Sequence, residues 1–319
     1  MNWKKVSLFV FMLMLLFSLV VGCGTTEDNG EQDTTESATD AFPLTIVDGV
    51  GEEVTIDKAP ERIVTGIASN TEIAFALGLD EHIVGVDNFS NYPEQALNKE
   101  KIGDMYLSAE LILAQEPDLI LLDESHQNNS GEIVQLLKDA DLDVMFIQSA
   151  STFDEVYENI SLIAKATDTV ETGENIIQDM KDRHDVLKEK AKEMTQAKKV
   201  WVEVSPAPDI YTTGKGTFMD EMLTSIGATN VAGDQEGWVM LNEEEIVTLQ
   251  PEVIITTYGY YVENAKEQIL AREGWSEVPA IQNEQVFDVH GDIVTRPGPR
   301  LIDGVEELAK VIYPEIFAE

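Results

Sequence analysis

The apolar positions of the first half of the chain fall into short runs separated by segments with helical periodicity. The runs are rich in Ile, Leu and Val, and each is short enough for one strand. Alternation of such strands with helices is typical of a parallel sheet connected by crossover helices. The pattern predicts an α/β lobe over residues 43–168, with strands at Arg62 to Ile67, Ile83 to Val86, Leu119 to Leu122 and Val144 to Ile147.

A longer helical pattern follows this lobe. Residues 169–196 are rich in Lys, Glu, Asp and Met, and their apolar stripe consists of Ile176, Ile177, Met180 and Leu187. A single stripe at this spacing predicts an amphipathic helix. We expect this helix to link the two halves of the molecule.

After that helix the same alternation begins again, over residues 197–319. We predict a second lobe there, with elements at Lys199 to Ser205, Thr217 to Ile226, Val253 to Thr257, Gln285 to Val289 and Arg300 to Ile312. The whole pattern predicts an α/β protein of two Rossmann-like lobes with parallel sheets, joined by one long helix.

The two lobes also repeat each other in sequence. Residues 110–122 and 244–256 each read as a helix that ends before a proline and is followed by a buried strand. The loops upstream place an aromatic residue in each lobe, Tyr106 in the first and Trp238 in the second. Ligands of open α/β sheets bind at loops beyond the carboxyl ends of the strands. We therefore expect a ligand cleft between the lobes, lined from both sides.

The N-terminus has the features of an export signal. Two lysines precede an apolar run from Val6 to Val21, which is short for a membrane span. Cys23 follows Gly22 and resembles the lipobox cysteine of bacterial lipoproteins, which is acylated and becomes the mature N-terminus. We predict a signal peptide over residues 1–22 and a lipid anchor at Cys23 that holds the protein on the extracellular face of the cell membrane. The alternative is a signal-anchor helix with an unmodified cysteine.

Composition narrows the function further. Residues 24–42 have no basic residue and almost no apolar content, which predicts a disordered tether. The chain has 60 acidic against 21 basic residues, a formal charge of -39, which opposes any contact with a nucleic-acid backbone. With a single cysteine in the sequence, no intrachain disulfide can form.

Sequence signatures of catalysis are missing from the chain. It contains no GxSxG elbow, P-loop or GxGxxG fingerprint, and Gly214 to Thr217 reads as a turn rather than a phosphate loop. We therefore expect a binding protein and not an enzyme. An adhesion or scaffolding lipoprotein is the other non-enzymatic possibility.

Two acidic helix starts lie at corresponding positions of the two lobes. Ser69 to Glu72 and Thr217 to Asp220 both read as capping boxes, in which the acid bonds free backbone N–H groups. Glu221 lies one residue past the second box and is freer to point outward. One acidic start per lobe would also present two negative side chains beside the cleft to a pseudo-symmetric partner.

Five motifs, in this order and spacing, make the chain resemble the substrate-binding proteins that deliver cobalamin, ferric siderophores and haem to ABC importers. The resemblance runs from about residue 43 to the C-terminus and implies a monomer that works with a permease dimer and its ATPase. The motifs are Ala59 to Val64, Asn70 to Glu72, Asn91 to Pro93, Glu116 to Ile120 and Arg296 to Leu301.

The likeness is greatest to the cobalamin-binding branch, so a corrinoid is the favoured ligand. In that branch an aromatic stands at the position of Phe89 and a cleft arginine at that of Arg296. The resemblance also implies that Glu72 and Glu221, with Asp220 as the rival for the second role, form salt bridges to arginines of the permease. The sequence departs from this branch at residues 104–106 and 293–294, where aromatic residues are expected, so a ferric siderophore remains the alternative ligand.

A metal chelate is large and partly flat, so its capture needs aromatic walls and a few placed donors. The wall candidates are Phe89, Tyr106 and Trp238, although each could instead be a core aromatic. Arg296 is either a donor to ligand oxygens or a partner in a buried ion pair.

The protein is expected to carry no cofactor of its own. Direct zinc or manganese coordination is the other binding hypothesis, but the spacing of the histidines does not favour it, since none falls in a close ligand pair. The four histidines are His82, His126, His184 and His290.

Overall fold

The computed structural model of the protein describes residues 41–317, so the predicted signal peptide, Cys23 and most of the tether lie outside the described residues. The first element is an antiparallel ribbon of β1 (Leu44–Val47) and β2 (Glu53–Ile56). The sequence pattern did not predict this ribbon, because its strands are short and half exposed and therefore carry little apolar signal.

The N-terminal sheet has five strands in the order β5-β4-β3-β6-β7, and every neighbouring pair is parallel. The four predicted strands are all present in it, with ends shifted by a few residues at most. Their bounds are β3 (Ile63–Thr65), β4 (Ile83–Val86), β5 (Glu100–Lys101), β6 (Leu119–Asp123) and β7 (Asp143–Ile147).

Helices cover both faces of this sheet, because its central strands are buried throughout and cannot face water. All five residues of β6 are buried. The helices are α1 (Ala68–Ala76), α2 (Ala109–Ala114), α3 (Ser125–Asn129), α4 (Gly131–Asp139) and α5 (Phe153–Ala166), with a 3-10 turn at Glu94–Asn98.

The predicted linker is one helix, α6 (Val170–Ala191), which ends before the predicted Gln196. It buries Met180, His184 and Leu187. None of the helices within residues 41–317 is long and apolar enough to cross a membrane.

The C-terminal sheet has four parallel strands in the order β10-β8-β12-β13, and a separate antiparallel ribbon pairs β9 with β11. The strands are β8 (Lys199–Glu203), β9 (Tyr211–Thr213), β10 (Thr229–Asn230), β11 (Trp238–Met240), β12 (Val253–Thr256) and β13 (Val286–Asp288). The helices are α7 (Phe218–Ser225), α8 (Glu243–Leu249), α9 (Ala265–Leu270), α10 (Pro279–Gln282), α11 (Gly291–Thr295), α12 (Leu301–Ile312) and α13 (Pro314–Phe317). The predicted α/β fold of two lobes with parallel sheets is confirmed.

One hydrophobic cluster runs through both lobes. It contains Ile73 of the first lobe, Met180 of α6 and Leu223 of the second lobe, each at most 1% exposed. Close-packed cores resist deformation, so a core shared by both lobes and their linker opposes large movements of one lobe against the other.

The two predicted capping boxes form only in part. Helix α1 begins at Ala68, before Ser69, and its N-cap residue Ile67 makes no side-chain cap. Thr217 does cap α7, but Asp220 turns away and accepts a hydrogen bond from Asn230 at 2.9 Å. The polar side chains at these helix starts therefore serve contacts between elements.

Candidate functional site

Exposed aromatic side chains gather in loops at the carboxyl ends of both parallel sheets. Phe89 follows β4 and Tyr106 follows β5 in the first lobe, and they are 66% and 74% exposed. In the second lobe Tyr260 and Tyr261 follow β12, and Trp238 begins β11 at 49% exposure. The three predicted wall residues are thus surface residues and not core aromatics.

A chain of buried hydrogen bonds holds the turn that presents Phe89. The carboxylate of Asp87 accepts the N–H of Phe89 at 2.8 Å and the hydroxyl of Ser90. The Ser90 hydroxyl bonds that of Thr71 at 2.6 Å, which bonds Thr65 at 2.7 Å. Because these polar groups are buried and satisfied, the turn is rigid and leaves the Phe89 ring outside.

Two other wall residues depend on glycine. Gly103 has φ +112°, and a Cβ there would lie 2.7 Å from the carbonyl oxygen of Tyr106. The tight loop is closed further by Asp104, which accepts the N–H of Tyr106 at 3.1 Å. Trp238 follows Gly237, at φ +67°, and its ring packs edge-on against Phe218 with 6.4 Å between centroids.

The sequence reasoning missed a second group of aromatics, at Tyr258 to Tyr261. The rings of Tyr260 and Tyr261 meet edge to face at 4.8 Å, and Tyr260 stacks on His290 at 5.4 Å. The signal was present, since three tyrosines directly follow the predicted strand Val253 to Thr257. Tyr260 and Tyr261 are exposed and extend the aromatic wall of the second lobe, whereas Tyr258 is buried.

A buried ion pair lies beneath this second wall. Glu203, fully buried at the end of β8, accepts two hydrogen bonds from Arg272, at 2.8 and 3.0 Å. Its carboxylate also accepts the hydroxyl of Tyr258 at 2.7 Å. Burial raises the pKa of Tyr258, and the neighbouring carboxylate raises it further, so the hydroxyl stays a donor. This network anchors the loop that carries Tyr260 and Tyr261.

Arg296 lies in an ion pair that crosses between the lobes. It pairs with Glu72 of the first lobe at 3.1 Å and with Asp292 at 2.9 Å. It also donates to Asn91 at 2.6 Å and to the carbonyl oxygen of Phe89 at 3.3 Å. The geometry shows Arg296 in the ion-pair role, because protein acceptors already engage both of its terminal guanidinium nitrogens.

The expectation that Glu72 presents an exposed carboxylate to a partner is wrong. Glu72 is 4% exposed and accepts two hydrogen bonds from Arg300, at 2.6 and 2.8 Å, besides the one from Arg296. Arg300 in turn lies over the ring of Tyr92, 3.7 Å from its centroid. A buried carboxylate requires such partners, because an unpaired charge in the interior is costly.

Glu221 also bridges the lobes instead of standing free. It is half-buried, and one carboxylate oxygen accepts the N–H of Phe153, the first residue of α5, at 2.9 Å. An acid at a helix N-terminus stabilises the free N–H groups there. Glu221 and its rival Asp220 are therefore both engaged within the protein.

Two other acids are exposed and lie at corresponding helix starts of the two lobes. Glu110 lies in the first turn of α2 and Glu244 in the first turn of α8, and both are exposed. The caps of these helices are made by Ser108 and Asn242, so neither acid is needed for capping. Glu110 and Glu244 are also the first residues of the two segments that repeat each other in sequence, residues 110–122 and 244–256.

The histidines lie on separate elements. Within residues 41–317 no three His, Cys, Asp or Glu side chains are grouped so as to hold a metal ion. His126 and His184 are buried, and His290 places its Nδ1 at the N-terminus of α11. Burial, with the charge of Lys188, lowers the pKa of His184 to about 4.

The chain is similar to several transport proteins. Its residues 63–293 match the family described as periplasmic binding protein. YvrC of Bacillus subtilis strain 168, an uncharacterized ABC transporter substrate-binding lipoprotein, is 43% identical over 309 residues, covering 96% of this chain and 97% of the relative. A vitamin B12-binding protein of Vibrio cholerae serotype O1 is 29% identical over 78% of this chain and 87% of its own. The solved structure of a possible iron-binding (periplasmic solute-binding) protein from Staphylococcus epidermidis has a TM-score of 0.72 at 35% identity, covering 80% of this chain and 100% of the other.

Proposed function

This chain belongs to the periplasmic binding protein family, and from that premise we propose that it captures a metal chelate of the corrinoid type for an ABC importer. The observation that carries the proposal is the pair of aromatic walls, one on each lobe, at the carboxyl ends of the two sheets. Flat aromatic faces bury a large macrocycle with little loss of side-chain entropy. The relatives are substrate-binding proteins, which supports a binding function and not an enzymatic one.

The corrinoid is favoured because the relatives include vitamin B12-binding proteins. A corrin ring has amide-bearing side chains, which suit a cleft with polar rims and aromatic walls. An iron chelate is the second candidate, since a possible iron-binding protein has the same fold at 35% identity. The tryptophan that the cobalamin-binding branch has early in residues 104–106 is replaced here by the sequence Asp104-Met105-Tyr106, which favours the iron chelate at that edge.

We assign permease docking to Glu110 and Glu244 in place of Glu72 and Glu221. Both acids are exposed and occupy corresponding positions of the repeat, one on each lobe. A permease with two related subunits could therefore bind both acids through the same basic residue of each subunit. Because the lobes share a core, we expect ligand release to be driven by the permease and its ATPase.

We further propose that Cys23 carries the lipid anchor and that the protein stands on the extracellular face of the membrane. This residue lies outside the described part of the chain. The support is the lipobox-like sequence and the lipoprotein designation of the 43% identical relative. Mass spectrometry of the N-terminal peptide, compared with a Cys23→Ala variant, tests the acylation directly.

The ligand is tested by isothermal titration of the full-length protein in detergent. Cyanocobalamin, cobinamide, a ferric siderophore and hemin are titrated separately. Binding of a corrinoid in preference to the others supports the proposal. Binding of an iron chelate alone would move the protein to iron uptake, and failure of every chelate to bind would overturn capture of a metal chelate.

A further inference from the structure

Basic side chains are few along the cleft. Within residues 41–317, the carboxyl ends of the strands and the loops beyond them carry Lys101, Lys215, Arg296 and Arg300. The aromatic walls lie on the same edges. The charge that a ligand meets there depends on whether these four cations are free or neutralised.

The two arginines are neutralised by two carboxylates. Arg296 pairs with Glu72 and Asp292, and Arg300 pairs with Glu72 at 2.6 Å. Both arginine side chains are 16% exposed, and those of Glu72 and Asp292 are 2% and 9% exposed. The cluster is therefore a closed group with no net charge.

The two lysines are also engaged. Lys215 pairs with Glu236 at 3.0 Å. Lys101 donates to the carbonyl oxygens of Asp87 and Ser90, at 3.2 and 2.8 Å. Of the four cations, Lys215 alone is more than half exposed, and a ligand would have to compete there with the carboxylate of Glu236.

The same edges carry acids that have no basic partner. Among the described residues, Asp104, Glu124 and Glu263 form no ion pair within 4.0 Å and are half or fully exposed. They add to the field of a chain with a formal charge of -39. Such a field repels an anion and attracts a cation before contact.

We infer that the cleft selects an uncharged or cationic chelate and rejects an anionic one, an inference that rests on the proposed function. An anionic chelate could reach the two arginines only by breaking the pairs of Glu72 or Asp292, and Lys215 only in competition with Glu236. Breaking the pairs of Glu72 or Asp292 would leave a buried carboxylate unpaired, which costs more free energy than a contact at the surface returns. An uncharged chelate binds the aromatic walls without disturbing the cluster.

The test compares chelates of one type that differ in charge. For iron, ferrioxamine B is cationic and ferric enterobactin is polyanionic; for tetrapyrrole-like rings, cyanocobalamin is uncharged and hemin carries two carboxylates. Each is titrated into the full-length protein at low and high salt. In whichever pair binds, we expect the affinity for the less negative chelate to be at least about tenfold higher than the affinity for the more negative one. Equal or tighter binding of the anionic member overturns the inference and leaves the proposed function standing, whereas no binding by any chelate removes the proposed function itself.

Two variants test whether the closed ion-pair cluster causes the preference for less negative chelates. Glu72→Gln releases guanidinium donors, so affinity for the anionic chelate should rise by about tenfold. Asp292→Asn, nearer the surface of the cluster, should give the same change if Glu72→Gln does not fold. The matched control is Glu124→Gln, which removes one negative charge from the same edge without freeing an arginine. An equal gain in the control would show that general charge, and not the closed cluster, sets the preference.

Discussion

Glu72 is a carboxylate whose role is decided by two arginines from the other lobe. Its position in the sequence is compatible with a helix cap, an exposed docking residue or an ion pair. In the structure it is buried and bonded to Arg296 and Arg300, which are 224 and 228 residues away along the chain. Local sequence holds no information about a partner at that separation, so the ion pair could not be predicted.

Loss of one partner should destabilise the protein strongly. We expect Arg300→Ala to lower the free energy of unfolding by about 3 kcal/mol, because it leaves the Glu72 carboxylate buried with one guanidinium fewer. Chemical denaturation at neutral pH measures the change. The control is Lys188→Ala, which removes an exposed cation of α6 and should change the stability by less than about 0.5 kcal/mol. Similar losses of unfolding free energy in both variants would show that the buried ion pair stabilises the protein no more than an exposed lysine does.

His184 provides a test by pH. Its pKa in the folded protein is lowered to about 4 by burial, while the unfolded chain has an ordinary histidine. The unfolded state therefore binds a proton first as the pH falls, so stability drops between about pH 6.5 and pH 4. Between pH 7 and pH 5 this protonation should lower the free energy of unfolding by roughly 2 kcal/mol, and we expect the His184→Leu variant to lack that part of the decrease. An unchanged pH profile of unfolding in this variant would contradict the buried, uncharged state of His184.

The binding surface that we propose lies mainly on the loops between elements. Strands and helices could be located from apolar runs, and the tyrosines after Val253 to Thr257 could have been added by the same reasoning. The rigidity of these loops could not be foreseen, because it depends on buried groups such as Asp87 and Glu203 that meet their partners only in the fold.

The aromatic walls can be tested without disturbing the fold. We expect Tyr106→Ala and Tyr260→Ala each to weaken ligand binding by about tenfold, since each removes a flat apolar face. Both side chains are largely exposed, so the thermal midpoint of the free protein should hardly move. Tyr211→Ala, an exposed tyrosine of β9, is the control and should bind normally. Unchanged affinity in both wall variants would remove this surface from the site.

The two lobes share one core, and the acids that we propose for docking lie one on each lobe. A shared core, the ion pairs of Glu72 and the hydrogen bond from the Phe153 N–H to Glu221 hold them together, so small-angle scattering should show little compaction when the ligand binds. From this rigidity we expect the importer to drive ligand release. The residues that we propose for ligand binding differ from those that we propose for docking.

Docking is tested by reversing charge at the two exposed helix starts. A Glu110→Lys/Glu244→Lys double variant should lose most uptake in cells and keep its ligand affinity, because neither acid is part of the aromatic walls. The control is Glu81→Lys/Glu277→Lys, with the same change of charge at exposed acids that precede β4 and α10. Full uptake by the first pair would overturn the assignment, and loss of uptake in both pairs would point to net charge instead.

Sequence alone determined the class of fold, the repeat of the two lobes and the long helix between them, because these depend on the periodicity of apolar residues within short windows. It also placed Phe89 and Tyr106 on loops at the ends of strands, whereas Trp238, predicted to lie on a loop, begins β11. Only the tertiary structure decided which charged groups are free, since Glu72, Glu221 and Arg296 find partners across the lobes. Burial makes those partners obligatory, and burial is a property of the whole fold and not of any segment.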